Sequence, residues 1–424
     1  MCRWVTVLAN EPISLSDVVL APSNSMVHQS RDATFHPGYG EVNNAALNAD
    51  GFGVGWYHRN VAKLPTVVRP VAADGTVSKV PAPLPSPVPV FTPAKHDDGQ
   101  QRRTAAVFKD TFPAWNNMNL RELCMATASD CIMAHVRAAS TGTGVSLNNC
   151  HPFKAGRLLF CHNGRIFGYQ LIKRRFLAEL SDEAFLHIKG TTDSEGVFGL
   201  ILTILAQDDS ATESPLTQTT PFGAHRLCAA VKKALSRIQQ IQDDADLPHR
   251  DYSTCNFALT DGETMVVTRY CDYSPTVPPP SLYFAFGCSL SEELTSEGQE
   301  TTPMKMPVSR QDSSDEEKKE NTSSDGSVGD DDTSSSDEDF ETSKVLLHKR
   351  ESKPGKILSQ VDPENATFVV SSNPLTRTHC WHKIPKNSIM WCTRGKHPEL
   401  RMLVKKPSAN SHNRHISIGE YPVV

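Results

Sequence analysis

Residues 1–8 read Met1-Cys2-Arg3-Trp4-Val5-Thr6-Val7-Leu8. Arg3 to Leu8 has the make-up of a buried strand, and Cys2 leads into it. A cysteine is small enough for a methionine aminopeptidase to remove Met1, which would leave a chain beginning with both a thiol and a free α-amine. A thiol attacks mainly as thiolate, with an unperturbed pKa of about 8.5. The α-amine, at about 7.7–8.0, is partly neutral near pH 7 and can act as a base. Nucleophile and base then occupy one residue. A cysteine at position 2 also arises by chance, so the rest of the chain has to decide its meaning.

Further along, Gly51–Tyr57, Cys131–Val136, Leu158–Cys161, Thr367–Ser371 and Ser388–Cys392 are short apolar runs bounded by polar punctuation, and they are predicted as strands. Apolar residues keep a helical spacing over Glu195–Leu205 and Leu227–Ile241. Thr254–Tyr270 is predicted as a hairpin, with Asp261-Gly262 as its turn. Strands, then helices, then strands again argue for α+β rather than a regularly alternating parallel sheet.

Two segments look inserted. Residues 61–105 hold eight prolines between Pro65 and Pro93 and end in a polar run. Proline at 81, 83, 85, 87 and 89 removes backbone donors and favours extended chain. This suits a solvated excursion, with a PxxP adaptor site as the alternative. Residues 291–345 are rich in Ser, Asp, Glu and Thr and hold too little apolar surface to offset ordering entropy. Ser313, Ser314, Ser334, Ser335 and Ser336 resemble acidophilic kinase sites, though a solubilising spacer would look the same. The strand-bearing parts are therefore expected at 2–290 and 346–424.

Of the net charge of −5, residues 309–343 carry −10, with thirteen acidic and three basic side chains, so the remainder is mildly basic at +5. No Lys/Arg cluster is dense enough to argue for nucleic acid. No apolar run reaches the length of about 18 residues that marks a membrane span, and the first residues lack a signal-peptide core. Eleven scattered cysteines without a CxxC pair fit free thiols in a reducing compartment, which places the protein in the cytoplasm.

Four clusters carry chemistry. Asn48-Ala49-Asp50-Gly51-Phe52-Gly53-Val54-Gly55-Trp56 has glycines at alternate positions that allow close backbone approach, but not the spacing of a dinucleotide fingerprint. His135-Val136-Arg137-Ala138 puts an arginine at a strand end, where its planar fork suits a carboxylate or a surface ion pair. Asn149-Cys150-His151-Pro152 is followed by Cys161-His162-Asn163-Gly164. Asn163 through its side-chain amide and Gly164 through its backbone N–H are the parts of an oxyanion hole. Cys150, His151, Cys161 and His162 form a weak zinc alternative, because adjacent Cys-His residues face opposite sides of a strand. In Thr191-Thr192-Asp193-Ser194-Glu195, Thr192 or Asp193 suits a helix N-cap, and Asp193 equally suits a ligand ammonium.

Taken in order, Cys2, H-x-R-x-A-S, N-x-H-P, HNG and TDSE resemble the class II glutamine amidotransferases, which are N-terminal nucleophile hydrolases. NADGFGVGWY, NFALTDGETMVVTRY and the late SSNPLT…W…IPKNSIM segment are most similar to the branch holding the glutathione-degrading γ-glutamyl amidotransferase subunit and the ergothioneine-pathway hydrolase. The resemblance covers 2–60, about 115–290 and about 355–424. It implies a four-layer αββα sandwich and hydrolysis of a γ-glutamyl amide, in glutathione, a related compound or glutamine. It implies Cys2 as nucleophile with its α-amine as base, and Asn163 and the Gly164 N–H as oxyanion donors. Arg137 would hold the substrate α-carboxylate, Asp193 its α-ammonium, and His151 would be structural near the site. No cofactor or metal is implied. Synthase-type members carry Trp after the arginine where this chain has Ala138, so that wall differs and strict glutamine selectivity is not expected. No synthetase, isomerase or phosphoribosyl domain is recognisable. A glutaminase feeding ammonia to a separate partner, such as a peptidase-like subunit, and a non-catalytic scaffold are the alternatives.

Overall fold

The computed structural model describes residues 2–33, 47–59, 103–140, 142–245, 247, 251–272, 279–287, 361–376, 380–406 and 415–422. The acidic segment 291–345 with its serines, and residues 61–102 of the Pro-rich stretch, lie outside these. In chain order the elements are β1 (Arg3–Ser14), α1 (Leu15–Val19), α2 (Met26–Arg31), β2 (Phe52–Arg59), β3 (Arg103–Asp110), α3 (Met118–Ala126), β4 (Ala128–Val136), β5 (Phe153–Ala155), β6 (Leu158–Arg165), α4 (Tyr169–Leu177) and α5 (Asp182–His187). They continue with α6 (Asp193–Ala206), α7 (Ala224–Asp243), β7 (Thr254–Thr260), β8 (Thr264–Cys271), β9 (Tyr283–Phe286), β10 (Phe368–Ser371), β11 (His382–Lys383), β12 (Ser388–Thr393), β13 (Glu399–Lys406) and β14 (His415–Pro422). Because β3 begins at Arg103, residues 103–105 are strand, not the end of the insertion. The polar run just before them masks that start.

The strands form two seven-stranded sheets, ordered β11-β9-β10-β1-β4-β2-β3 and β14-β13-β12-β8-β7-β6-β5. Strand parity shows how they stack. On β1, Trp4 and Leu8 pack with Met133, Leu159, Cys161, Ala258 and Val267, which belong to both sheets. Val5 and Val7 face the other way, onto Leu15, Val18, Met26 and Leu120 of the helices α1–α3. On the second sheet, Phe160, Phe257 and Val266 turn outward onto α4, α6 and α7. Three apolar layers between four structural layers make an αββα sandwich. Sheets covered on both faces explain why β1, β6 and β7 read as near-continuous apolar runs rather than alternating ones.

Candidate active site

Cys2 and Arg137 meet at one end of the first sheet. Arg3 pairs with Val136 across β1 and β4, so the register continued by one residue sets Cys2 against Arg137. The Cys2 thiol is half-buried. Its Sγ accepts from the Ala138 N–H at 3.3 Å and lies 3.4 Å from the Ala138 carbonyl oxygen. Burial pushes the thiol pKa up, while the Ala138 N–H, the charge of the chain terminus, Arg137 and Arg3 pull it down. Arg3 donates to the Cys2 carbonyl at 3.1 Å, and burial lowers its own pKa to about 10.

Arg137 is 3% exposed. Its Nη1 donates to the Asp50 carbonyl at 3.4 Å and its Nη2 to Thr143 Oγ1 at 3.3 Å, both long bonds to neutral oxygens. Among the described residues no carboxylate pairs with it. The preceding Asn-Ala-Asp-Gly segment clamps this strand end. Asp50 Oδ2 accepts from the Ala139 N–H at 2.7 Å, the Asp50 N–H donates to the Arg137 carbonyl at 3.0 Å, and the Arg137 N–H donates to the Gly51 carbonyl at 2.8 Å.

Gly51, Gly53 and Gly55 face Cys150, His151 and Pro152 in turn. At Gly53 a Cβ would stand 2.1 Å from the His151 carbonyl oxygen, so only glycine lets the N-x-H-P segment lie directly on β2. His151 stacks on His135, with ring centroids 4.2 Å apart, and meets Phe153 edge-on. Burial holds both imidazoles neutral, His135 at about 3. Among the described residues, neither nitrogen of His151 has a hydrogen-bond partner.

The facing sheet supplies β6, which packs against β1 and β4. Asn163 lies on β6 with the parity of Leu159 and Cys161, pointing between the sheets. It is 2% exposed, and its Nδ2 has no hydrogen-bond partner. At Gly164 a Cβ would fall 1.9 Å from the Thr254 carbonyl oxygen, which excludes every other residue. Asp193 opens α6, and Thr192 is the N-cap, its hydroxyl accepting from the Glu195 N–H at 3.3 Å. Asp193 Oδ2 accepts from the Ile166 N–H at 2.8 Å, which ties it to the end of β6. The helix N-terminus favours its negative charge. The Ser194 hydroxyl stands between Asp193 Oδ1 at 3.1 Å and His162 Nδ1 at 2.9 Å. His162 Nε2 donates to the Thr254 carbonyl at 2.9 Å.

Of the six residues singled out on sequence, Cys2, Arg137 and His151 lie at or beside the ends of β1, β4 and β2 in the first sheet, and Asn163, Gly164 and Asp193 lie at the end of β6 in the second. Three supports escaped sequence reasoning. Asp50 is one. Asn149 Oδ1 accepts from the Thr191 N–H at 2.8 Å and its Nδ2 donates to the Gly144 carbonyl at 2.9 Å, joining two loops. Glu195 accepts from the N–H groups of Lys189 and Gly190 at 2.9 and 2.5 Å. Glu195 stands at the T-x-x-E position of a capping box, but its carboxylate reaches the 189–190 loop instead of the Thr192 N–H, which the spacing does not signal. For Asp50 and Asn149 the contacts are long-range and local sequence holds no signal. Among the described residues, no three His, Cys, Asp or Glu side chains are grouped to hold a metal ion, and no helix is long and apolar enough to cross a membrane.

Comparison with known proteins identifies the family. Residues 96–274 match the family of class-II glutamine amidotransferases. A probable glutamine amidotransferase of Saccharomyces cerevisiae, DUG3, is 34% identical over 301 residues, 70% of this chain and 71% of its own length. A gamma-glutamyl-hercynylcysteine sulfoxide hydrolase of Mycolicibacterium smegmatis is 25% identical over 166 residues, 39% of this chain and 52% of its own. A glutamine aminotransferase class-II domain protein from Silicibacter pomeroyi superposes with a TM-score of 0.45 at 16% identity, covering 95% of this chain and 99% of that one. With the extent of the yeast match, the chain belongs to the class II glutamine amidotransferases.

Proposed function

We propose that this enzyme hydrolyses a γ-glutamyl amide, glutathione or a related γ-glutamyl compound, through a thioester on Cys2. The carrying observation is a buried guanidinium with no carboxylate partner, Arg137, next to the residue whose backbone holds the Cys2 thiol. Arg137 takes the substrate α-carboxylate and Asp193 its α-ammonium, which leaves the γ-carbonyl free to reach Sγ. After removal of Met1, the Cys2 α-amine accepts the thiol proton as Sγ bonds to the γ-carbon. Asn163 Nδ2 and the Gly164 N–H stabilise the oxyanion. Collapse breaks the C–N bond, and the amine leaves with the proton. Water then attacks the thioester, and its proton returns to sulfur through the amine, releasing glutamate. The raised thiol pKa fits a nucleophile that needs an adjacent base.

The γ-glutamyl compound named for the mycobacterial relative supports this substrate class. The amidotransferase name of the yeast relative supports the competing reading, a glutaminase passing ammonia to a separate, peptidase-like partner. Glutathione against glutamine turnover by the purified chain separates the two. The free thiols of the described cysteines fit a cytoplasmic setting. Intact mass spectrometry after 6-diazo-5-oxo-norleucine should show Met1 absent and one adduct, on Cys2, and Cys2→Ala should abolish turnover while staying folded. Retained Met1 with no adduct defeats the mechanism.

A further inference from the structure

Asn256 has no part in the site as assembled above. It lies on β7 directly opposite Asn163 on β6, and directly paired residues of an antiparallel ladder share a face, with Cβ atoms about 4.5–5.5 Å apart. That face is the interlayer one: Ala258, two residues on, packs between the sheets, whereas Phe257 packs under the helices. Asn256 is 0% exposed. Its amide is oriented by its partners. Nδ2 donates to the Pro280 carbonyl at 2.9 Å and reaches the Ser281 carbonyl at 3.5 Å, so a flipped amide would set oxygen against oxygen. Arg269 Nε holds the same Pro280 carbonyl at 3.0 Å. Asn256 Oδ1 therefore points elsewhere, and it has no donor.

Two paired asparagines thus leave one buried donor, Asn163 Nδ2, and one buried acceptor, Asn256 Oδ1, both unpartnered. A donor and an acceptor flanking a trans amide meet its C=O on one side and its N–H on the other. The sidedness agrees. Arg137 flanks β1 across β4. The anchors of Asn256 lie toward the opposite edge of β1: Ser281 Oγ donates to Asn373 Oδ1 at 2.9 Å, and the neighbouring Ser372 Oγ accepts from the Trp4 N–H at 3.0 Å. Arg137 and the anchors of Asn256 thus lie toward opposite edges of β1.

We propose that Asn256 Oδ1 accepts the N–H of the scissile γ-amide, which makes the enzyme select γ-glutamyl compounds whose leaving nitrogen bears a hydrogen. This rests on the catalytic reading above. The test compares γ-glutamyl-p-nitroanilide with its N-methyl counterpart on wild type and Asn256→Ala. The variant should lose about tenfold or more in kcat/KM for the N–H substrate, the scale of one buried hydrogen bond, and stay within about threefold for the N-methyl one. An equal fall on both substrates means a structural role and overturns the proposal, as does no fall on either. Asn256→Ser replaces the alanine variant if that one fails to fold. A wild-type enzyme indifferent to N-methylation overturns the proposal without any variant. A wild type that turns over neither substrate and takes no Cys2 adduct is instead a failure of the catalytic reading, and this inference falls with it.

Discussion

The two ends of the sandwich treat buried charge in opposite ways. At the end holding the β7–β8 turn, Arg103 of β3, Asp130 of β4, Glu263 of the turn and Arg394 after β12 form a closed ring. Arg103 Nη1 meets Asp130 Oδ1 at 2.5 Å, and its Nε pairs with Glu263. Arg394 Nε meets Glu263 Oε2 at 3.1 Å, and its Nη2 meets Asp130 Oδ1 at 3.3 Å. Each charge has an opposite partner, and the ring bolts one sheet to the other. At the Cys2 end, among the described residues, Arg137 has only neutral oxygens, and Asn163 Nδ2, Asn256 Oδ1, Trp4 Nε1 and both His151 nitrogens have no hydrogen-bond partner. One end is arranged for stability. The other leaves polar groups open where a ligand can satisfy them, which is where local rules of satisfaction are expected to fail.

The sharpest way to break this contrast is to treat both ends alike. Asp130→Ala leaves Arg103 and Arg394 buried on the single carboxylate of Glu263. Removing one partner of a buried ionic group costs about 3–5 kcal/mol, so thermal or urea unfolding should show a large loss. The molecules that remain folded should keep their turnover. Arg137→Met is the counterpart at the cleft. It removes a buried cation that no carboxylate among the described residues neutralises, so the unfolding midpoint should stay level or rise. Meanwhile kcat/KM should fall by about ten- to a hundredfold, the scale of a lost charge-assisted hydrogen bond of about 1.5–3 kcal/mol. A destabilised Arg137→Met, or a neutral Asp130→Ala, would erase the distinction between the two ends.

How much of this the sequence showed depends on whether a contact is local. The strands β1, β2, β4, β6, β7 and β8 and the helices α6 and α7 are long apolar runs, and they are visible in composition alone. The helices α1, α2 and α5 span only five or six residues, too short for periodicity to stand out. The Asp-Gly hairpin was legible, but its ionic ring was not, because Arg103, Asp130 and Arg394 come together only through sheet stacking. At the site, motif order picked out Cys2, Arg137, His151, Asn163, Gly164 and Asp193. Asn256 was read merely as part of a strand, since only the β6–β7 register sets it beside Asn163.

The stacked pair His135 and His151 gives the smallest test, and it is read through pH. Burial lowers His135 to about 3, against an ordinary value of about 6.5 in the unfolded chain. Between these values the unfolded state binds the proton and the folded state does not, so stability is fully present above pH 6.5 and is lost as pH falls toward 3. Between pH 7 and 5 the loss from this one residue should be about 1–2 kcal/mol. His151 and His162 shift in the same direction from the same cause and add to it. His135→Phe keeps a flat ring against His151 and has nothing to protonate, so its unfolding midpoint should fall less steeply from pH 7 to 5 than that of the wild type. An identical slope in both proteins would mean that the histidines at the cleft are not held neutral, and that this end is less unlike the other than its geometry implies.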